Sequence, residues 1–303
     1  MAAYAFYKWR EGPYYTKTYG LEHKVVIITG CNTGIGKEIA LDLARRGARV
    51  YMACRNYEKC EQARLEIISR TGNPQVFNRS LDLSSLASVR RFVKNFLLQE
   101  HHLDILINNA GVLGVKHSLT SDGFEQHLAV NHLGHFLLTN LLLEALKNSP
   151  SGRIVVVSSI IHFMASINKE DLQGERNYNK MQAYAQSKLC NILFTRKLAL
   201  LLKGSKVTVN CMHPGVVRTE IWRNDALLGF LNALLSRLLL RSPKGGAQTA
   251  LYLAIDPGVE GKSGDYYDRM KVAQISTKAK DSELAEWLWR ESAKLVDLNK
   301  KSL

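Results

Sequence analysis

The sequence is short of cysteines with a recognisable spacing, of long apolar runs and of acidic residues. Its five cysteines are scattered and have no metal-ligand spacing, which favours reduced thiols inside the cell over a disulfide framework or a metal site. No apolar run in the first 23 residues approaches the roughly 20 residues of a membrane span, and these residues lack the pattern of a signal peptide. Asp and Glu number 27 against 41 Lys and Arg, so the formal net charge is +14.

The excess of positive charge has two interpretations that the composition leaves open. One is a basic surface for nucleic acid or anionic lipid, and the other is a generally basic protein. Because Lys and Arg are spread along the chain and form no long run, nucleic-acid binding is disfavoured. A hydrophobic content of 46% excludes a disordered chain, and 303 residues suffice for a large core.

Strand-like and helix-like segments alternate along the chain, which is typical of a parallel sheet covered by helices on both faces. We therefore predict an α/β fold with a doubly wound parallel sheet in a single domain, residues 24–303, after an aromatic-rich N-terminal extension, residues 1–23. The predicted strands are Lys24–Thr29, Arg49–Cys54, Gln75–Leu81, Leu103–Ile107, Arg153–Ser158, Lys206–Met212 and Gly264–Tyr267. The predicted helices are 34–46, 57–71, 85–99, 123–147, 180–203, 220–240, 244–255 and 281–295.

A glycine-rich turn follows the first predicted strand. The residues Thr29–Gly36 spell TGCNTGIG, in which glycines let the backbone turn tightly and approach a pyrophosphate closely. The helix that follows presents unpaired N–H groups and the positive end of its dipole to that anion. A glycine triplet alone is weak evidence, and its weight comes from the motifs that follow it in order.

The end of the second predicted strand and the two residues after it have no acidic residue. An Asp or Glu near this position would bond the ribose 2′-hydroxyl of NAD, whereas an arginine accommodates the 2′-phosphate of NADP. Val50–Asn56 contains Arg55 and no carboxylate, so the sequence favours NADP, and Lys37 would add to that preference. Taken alone, Arg55 is an ordinary solvated surface residue.

Two further turns follow the third and fourth predicted strands. Asp82 is placed to accept a hydrogen bond from an adenine amino group, but a turn or helix-capping aspartate explains it equally well. The small residues and amides of Asn108–Gly111 suit a turn lying beside a cofactor, although any strand-to-helix loop can have them.

Tyr184 and Lys188 lie four residues apart on a predicted helix and therefore on one face of it. An ammonium beside a phenol favours the phenolate and lowers a pKa that is normally ~10, so the tyrosine can exchange a proton near neutral pH. The spacing Tyr-x-x-x-Lys occurs three times in the chain, and only this pair follows a predicted strand that ends in serines, Ser158 and Ser159.

These motifs together resemble the short-chain dehydrogenase/reductase family over about residues 24–267. The segments GCNTGIGK, ARRGARVYMACRN, AYAQSKLCNILFTR and HPGVVRTE are further similar to its retinol dehydrogenase-like branch. The resemblance implies a Rossmann-type sheet and an NADP(H)-dependent oxidoreductase that interconverts a lipophilic aldehyde or ketone and its alcohol, with retinaldehyde and retinol the leading candidates. Two alternatives are the same chemistry on steroid, lipid-derived or xenobiotic carbonyls, and a non-catalytic NADP-binding sensor or scaffold.

The resemblance also implies catalytic roles. Tyr184 is the expected general acid in reduction and base in oxidation, and Lys188 is expected to lower its pKa and hold the nicotinamide ribose. Ser159 is expected to polarise the substrate carbonyl, with Ser158 as the alternative. Asn131 is expected to hold a water of the proton relay, unless it is an ordinary helix-interior asparagine. No metal is required, because the tyrosine supplies the proton and the cofactor the hydride.

Further residues receive a role from the same resemblance. Three histidines are interpreted as structural or substrate-facing: His132, His135 and His162. The expected cofactor-binding residues are Gly30, Asn32, Thr33, Gly34, Ile35, Gly36, Arg55, Asp82, Asn109, Ala110, Gly111, Tyr184, Lys188, Pro214, Gly215, Val217 and Thr219.

A leucine-rich segment at about 220–242 corresponds to the substrate lid of the family. Leu227–Leu240 is too short to span a bilayer, but it could lie in a membrane interface, or pack on the domain or another subunit. Each of these favours a hydrophobic small-molecule substrate. We expect an intracellular protein, cytoplasmic or peripherally bound to a membrane such as the endoplasmic reticulum. A homodimer through the predicted helices 123–147 and 180–203 is left open.

Overall fold

The structure, a computed structural model, describes residues 10–218 and 240–298. Within them one eight-stranded sheet has the order β3-β2-β1-β4-β5-β6-β7-β8, in which only the β7–β8 pair is antiparallel. The prediction of a doubly wound, Rossmann-type sheet in a single domain is confirmed. The strands are β1 Val25–Thr29, β2 Arg49–Cys54, β3 Val76–Ser80, β4 Ile105–Asn108, β5 Arg153–Val157, β6 Thr208–His213, β7 Tyr266–Asp268 and β8 Lys271–Val272.

The central strands are buried on both faces, which explains their continuous β-branched and apolar sequences. In β1 every residue is buried, and successive side chains enter opposite layers: Ile27 packs in one hydrophobic core and Ile28 in the other. Helices cover both faces of the sheet. They are α1 Gly34–Arg45, α2 Tyr57–Thr71, α3 Leu86–Leu97, α4 Gln126–Leu128, α5 Gly134–Leu141, α6 Leu143–Lys147, α7 Lys180–Leu201, α8 Pro243–Ile255, α9 Thr277–Lys280 and α10 Ser282–Leu295.

The helix predicted over 123–147 is divided in the structure. A π-helical turn, Ala129–Leu133, separates α4 from α5, and α6 begins after a further break at Leu142. A π turn accommodates one more residue per turn than the α-helix and is frequent at functional sites. The sequence pattern also missed the antiparallel edge strand β8, which is only two residues long, and the single-turn helix α9.

The described part of the N-terminal extension contacts α8 and the residue that ends it. The Tyr15 amide donates a hydrogen bond to the Gln248 side chain at 2.8 Å, and Lys17 forms an ion pair with Asp256 at 2.8 Å. Most of the predicted lid lies outside the described residues, and so does Thr219, which was expected to bind cofactor. Within the described ranges, no helix has the length and apolarity needed to cross a membrane.

The expectation of reduced thiols throughout is wrong for one pair of cysteines. Cys54 ends β2 and Cys60 lies in the first turns of α2, so their Cα atoms approach to 6.2 Å, and the two form a disulfide. The other three cysteines are free and buried: Cys31, Cys190 and Cys211.

Candidate active site

A cleft of about 620 Å³ opens at the carboxyl ends of β1–β4, where the strand order reverses between β1 and β4. Open parallel sheets bind ligands at this position. Eleven of the residues expected to bind cofactor line it: Gly30, Asn32, Thr33, Gly34, Ile35, Gly36, Arg55, Asp82, Asn109, Ala110 and Gly111. The other lining residues are Ala53, Asn56, Lys59, Leu81, Leu83, Val112 and Val130.

The glycine turn is packed too tightly for side chains. Gly30 has φ +64°, and a Cβ atom there would lie 2.8 Å from the Cα atom of Ala110. A Cβ atom at Gly36 would lie 2.6 Å from the carbonyl oxygen of Gly30. These approaches bring the backbone of the turn to the surface of the cleft, as the close approach of a pyrophosphate requires.

Helix α1 begins at this turn, and the residues of its N-terminal turn line the cleft. Its N-cap residue Thr33 makes no side-chain capping hydrogen bond, so it does not satisfy the N–H groups of the first turn. Such groups, together with the helix dipole, bind phosphate. The turn therefore fits a dinucleotide pyrophosphate.

Thr29 joins the glycine turn to the turn after β4. Its hydroxyl oxygen accepts hydrogen bonds from the backbone amides of Asn109 and Ala110, both at 2.9 Å. The Asn109 side chain donates in return to the Thr29 carbonyl at 2.8 Å, and His135 Nε2 is hydrogen-bonded to the Thr29 hydroxyl at 2.8 Å. Asn109 thus fixes the relative position of two cleft walls.

Two polar residues that the sequence analysis missed lie beside Arg55. Asn56 caps α2 by accepting a hydrogen bond from the Lys59 amide at 2.7 Å, and both residues line the cleft. Arg55 and Lys59 are exposed, so this end of the cleft carries two solvated cations. The sequence did contain a signal for Lys59, because it is a second cation close after β2, in the first turn of α2. The contribution expected from Lys37 is not supported, because its ammonium pairs with Glu66 at 2.5 Å.

Asp82 lines the cleft and also organises its own turn. Its Oδ1 accepts hydrogen bonds from the Ser84 amide at 2.9 Å and the Ser84 hydroxyl at 2.6 Å. The binding role and the turn role considered for this residue are therefore compatible.

Tyr184 and Lys188 face the same side of α7. The Lys188 ammonium lies 5.6 Å from the centre of the Tyr184 ring and donates a hydrogen bond to the Val157 carbonyl at 3.2 Å. Burial lowers the pKa of Lys188 to about 8. Burial raises the pKa of Tyr184 to about 12, against the opposing effect of a side-chain hydrogen bond with Ser159. The expected lowering of the Tyr184 pKa is thus absent. Removal from water disfavours the phenolate more strongly than the hydrogen bond with Ser159 favours it.

Ser158 and Ser159 serve different partners because neighbouring residues of an extended chain point in opposite directions. The Ser158 hydroxyl donates to the Lys188 carbonyl at 2.8 Å and is buried. The Ser159 side chain shares a hydrogen bond with Tyr184 and accepts one from the Ile161 amide at 3.4 Å. Ser159 is therefore the serine that faces the tyrosine.

Asn131 lies in the π turn and is completely buried. Its Oδ1 accepts from the Val112 amide at 2.8 Å, and its Nδ2 donates to the Ser187 hydroxyl at 2.9 Å. A Cβ atom on Gly111 would lie 3.2 Å from Asn131 Oδ1 and 3.6 Å from Lys188 Nζ. The cleft wall at Gly111 thus adjoins the Tyr184–Lys188 pair.

The turn after β6 packs near the glycine turn, on helix α8. Gly215 has φ +86°, and Val217 is buried. A Cβ atom at Gly246 would lie 2.7 Å from Val217 Cγ2 and 3.2 Å from Ile35 Cγ1. Val217 and the glycine turn therefore pack against the same point of α8.

The three histidines considered earlier are buried and engaged. His135 contacts Thr29 as described, and His132 Nε2 is hydrogen-bonded to the Ser292 hydroxyl at 2.8 Å. His162 is hydrogen-bonded to the Ser159 carbonyl at 2.8 Å, and its Nε2 accepts from the Ser276 amide at 3.3 Å. Burial lowers the pKa of all three, to about 4 for His132 and about 3 for His135, which favours the structural interpretation.

A fourth histidine escaped the sequence analysis. The ring centre of His127 lies 6.2 Å from that of Tyr184, and its Nδ1 is 2.7 Å from the buried carboxylate of Glu125. Tyr178 donates a hydrogen bond to the same carboxylate at 3.1 Å. No sequence signal pointed to His127, since the π turn that begins two residues later was not predicted either.

Comparison with known proteins decides the family. The family model for short chain dehydrogenases matches residues 24–226. The chain belongs to the short-chain dehydrogenase/reductase family. Human retinol dehydrogenase 11 is 50% identical over 283 residues, which cover 93% of this chain and 89% of the relative. Human retinol dehydrogenase 12 is 51% identical over 278 residues, which cover 92% of this chain and 88% of the relative.

Solved structures of the family agree with the architecture. A protein from Mycobacterium paratuberculosis superposes with a TM-score of 0.76 at 36% identity, covering 94% of this chain and 98% of its own. A short chain dehydrogenase from Escherichia coli CFT073, solved in complex with NADPH, has a TM-score of 0.68 at 27% identity and covers 84% of this chain and 100% of its own.

Proposed function

We propose that this oxidoreductase uses NADP(H) to interconvert a lipophilic aldehyde or ketone and its alcohol, with retinaldehyde and retinol as the leading pair. The observation that carries the proposal is the meeting of Ser159, Tyr184 and Lys188 beside the Gly111 end of the cleft. Residues 24–303 form the oxidoreductase domain of this proposal, and residues 1–23 are its extension. All four side chains proposed to be catalytic are present in the sequence, namely Asn131, Ser159, Tyr184 and Lys188, which argues against a purely scaffolding role.

The cofactor is NADP(H). The first-turn amides of α1 are suited to the pyrophosphate, and Arg55 and Lys59 are suited to the 2′-phosphate at the far end of the cleft. Val50–Asn56, which covers the end of β2 and the turn after it, contains no carboxylate to bond a free 2′-hydroxyl. The structural relative from Escherichia coli, which was solved with NADPH, supports the same choice.

In carbonyl reduction the bound nicotinamide supplies the hydride, and the protein supplies the proton. Ser159 donates a hydrogen bond to the substrate carbonyl and so favours negative charge on its oxygen. Tyr184 then donates its phenolic proton to that oxygen. Lys188 holds the nicotinamide ribose and stabilises the tyrosinate that results. Asn131 is proposed to hold a water of the proton relay, from a side chain that is fixed by the Val112 amide and the Ser187 hydroxyl.

Tyr184 carries its proton in the structure. Because burial raises its pKa to about 12, the phenol is protonated at neutral pH, as donation to a carbonyl oxygen requires. The same tyrosine is the base when the alcohol is oxidised, so its protonation does not set the direction of the reaction. The preference for NADP(H) is what favours reduction.

The substrate is hydrophobic. The 3₁₀ turn that follows Ser159 exposes three apolar side chains, Ile160, Phe163 and Met164, at 54%, 48% and 69% of their surface. Such residues next to a catalytic serine suit a lipophilic substrate better than a sugar or an acid. The names of the curated relatives, retinol dehydrogenases 11 and 12, support a retinoid.

We also propose peripheral association with an intracellular membrane such as the endoplasmic reticulum. A homodimer is a separate proposal with its own test. The apolar residues beside Ser159 and the net charge of +14 support contact with an anionic lipid surface. Recovery of all the protein in the soluble fraction at low salt would contradict the membrane proposal, and a monomer by light scattering would exclude the dimer.

The test is NADPH consumption by the purified protein with all-trans-retinaldehyde, with the product identified by chromatography. We expect retinol from the wild type and a loss of turnover of at least about a thousandfold in Tyr184→Phe, because the phenylalanine ring has no proton to donate. NADPH binding should persist in the variant. NADPH binding without turnover in the wild type would exclude retinaldehyde and transfer the test to steroid, lipid-derived and xenobiotic carbonyls, while activity in Tyr184→Phe would overturn the mechanism.

A further inference from the structure

Arg241 lies outside the cleft, yet it joins three segments of the chain. The residue is only 5% exposed, and its guanidinium donates hydrogen bonds to the Pro214 carbonyl at 2.9 Å and the Arg10 carbonyl at 3.2 Å. The Arg241 backbone amide donates to the Val216 carbonyl at 2.9 Å, and its carbonyl accepts from the Arg218 amide at 3.0 Å. One residue therefore holds the N-terminal extension and the turn after β6 together.

Two glycines enclose this guanidinium. Gly12 has φ +72°, and a Cβ atom there would lie 2.6 Å from Arg241 Nη2. A Cβ atom on Gly215, at φ +86°, would lie 3.0 Å from Arg241 Nη1. The guanidinium therefore fills the space between the backbone of the extension and the backbone of the Pro214–Gly215 turn.

Glu11 completes the contact between the extension and the start of α8. Its carboxylate is 1% exposed and accepts hydrogen bonds from the Ser242 hydroxyl at 2.5 Å and the Ser242 amide at 3.1 Å. The Ser242 hydroxyl also caps α8 by accepting from the Gly245 amide at 3.0 Å. Burial opposes ionisation of Glu11, but the Ser242 hydrogen bonds and the neighbouring Arg10 keep its pKa below the ordinary value, so it remains a carboxylate.

We propose that Arg241 and Glu11 are positioning residues, through which the N-terminal extension fixes the Pro214–Gly215 turn. The family resemblance implies that this turn lies against the nicotinamide side of the cofactor. The proposal rests on the proposed function for the identity of that side. Residues 10–12 are then part of the support of the active site, although they precede the first strand of the sheet by more than ten positions.

The two halves of the cofactor would respond differently to loss of this support. The phosphate half is held at the glycine turn and beside Arg55, which neither Arg241 nor Glu11 contacts in the described hydrogen bonds. A displaced Pro214–Gly215 turn would therefore disturb the geometry of hydride transfer while most of the NADPH affinity persists.

The first experiment compares full-length Arg241→Met and Glu11→Ala with the wild type. We expect kcat to fall about tenfold or more in Arg241→Met, while the NADPH dissociation constant changes by less than about threefold. The isotope effect on kcat with deuterated NADPH should rise, since hydride transfer becomes slower relative to product release. Arg241→Lys, which retains a donor and the charge, should recover part of kcat. Lys17→Met is the control, because it breaks an ion pair of the same extension far from the turn.

Hydrogen exchange measures the contact without any turnover. Amides of the peptide covering 208–218 should exchange faster in Arg241→Met and Glu11→Ala, but not in Lys17→Met. Unchanged exchange in Arg241→Met would show that Arg241 does not hold the Pro214–Gly215 turn. Faster exchange with unchanged kcat and an unchanged isotope effect would overturn the positioning role. If the wild type reduces no carbonyl, the proposed function fails, whereas exchange and NADPH affinity still decide whether Arg241 holds the turn.

Discussion

The two ends of the active site place their cations in opposite environments. At the adenosine end, Arg55 and Lys59 are exposed on the rim of the cleft. At the catalytic end, Lys188 is only 2% exposed, between α7 and the end of β5. An exposed cation retains its charge at little cost and acts on binding, whereas a buried cation is costly to keep charged and acts on a neighbouring group.

This difference separates affinity from chemistry within one site. Changes at the exposed end should alter which cofactor binds and how tightly, with little effect on the proton transfer. Changes at the buried end should alter turnover and stability most, with a smaller effect on cofactor affinity through the ribose contact proposed for Lys188. If a variant at one end changed the property assigned to the other end, the two ends would be coupled.

A large effect on turnover, second to the losses expected on removing Tyr184 or Lys188, is expected at Ser159, the serine that faces Tyr184. Ser159→Ala should lower kcat for carbonyl reduction by at least about a hundredfold, because it removes a hydrogen bond that strengthens as charge develops on the carbonyl oxygen. Steady-state rates at saturating NADPH measure this. NADPH affinity should change little.

Ser158→Ala is the matched control for this prediction. The Ser158 hydroxyl bonds the Lys188 carbonyl, so its loss should lower the free energy of unfolding by about 1 kcal/mol and leave kcat within about threefold. A larger loss of kcat in Ser158→Ala than in Ser159→Ala would reverse the assignment of the two serines.

The next effect is expected at the exposed end. Arg55→Asp should weaken NADPH binding by at least tenfold, since charge reversal at a phosphate contact costs ~2–5 kcal/mol, and should spare or improve NADH binding. Fluorescence titration with both cofactors measures the ratio. Lys59→Asp should shift the ratio in the same direction by a smaller factor. If the ratio of NADPH to NADH affinity stays constant in both variants, the 2′-phosphate does not bind at this end of the cleft.

The parts of this site that could be predicted from the sequence are those built by neighbouring residues. The glycine turn, the cation after β2 and the Tyr184–Lys188 pair are each encoded within a few positions, so the motif and the geometry coincide. The π turn at Asn131 escaped prediction because its apolar sequence fits an α-helix equally well. Glu11 and Ser242 escaped because 231 positions separate them, and no periodicity records such a contact.

The raised pKa of Tyr184 could not be predicted from the sequence, for a different reason. The spacing of Tyr184 and Lys188 reveals that an ammonium lies near a phenol, but it does not reveal how much water both have lost. In the structure, burial has the larger effect on each group, raising the pKa of one and lowering that of the other. Desolvation depends on the whole surrounding fold, which a local motif does not contain.

The smallest predicted effect concerns stability at the buried end, and its sign follows from the lysine pKa. Lys188 has a pKa of about 8 in the folded protein against 10.5 in its ordinary state. Between these values the unfolded chain binds the proton more tightly, so the contribution of Lys188 to stability improves as the pH rises through this window. Lys188→Met removes the buried charge and should raise the free energy of unfolding at pH 7 by about 1–3 kcal/mol while abolishing turnover.

Urea unfolding at pH 7 and pH 10 tests that sign. The difference between Lys188→Met and the wild type should narrow at pH 10, where the folded wild type has already lost the proton. Lys147→Met is the control, because Lys147 is 40% exposed, pairs only with the exposed Glu144 among the described ion pairs, and should change stability by less than ~1 kcal/mol. If Lys188→Met is instead less stable than the wild type at pH 7, the hydrogen bond to the Val157 carbonyl outweighs the cost of the buried charge, and the two ends of the site do not differ in the way their burial implies.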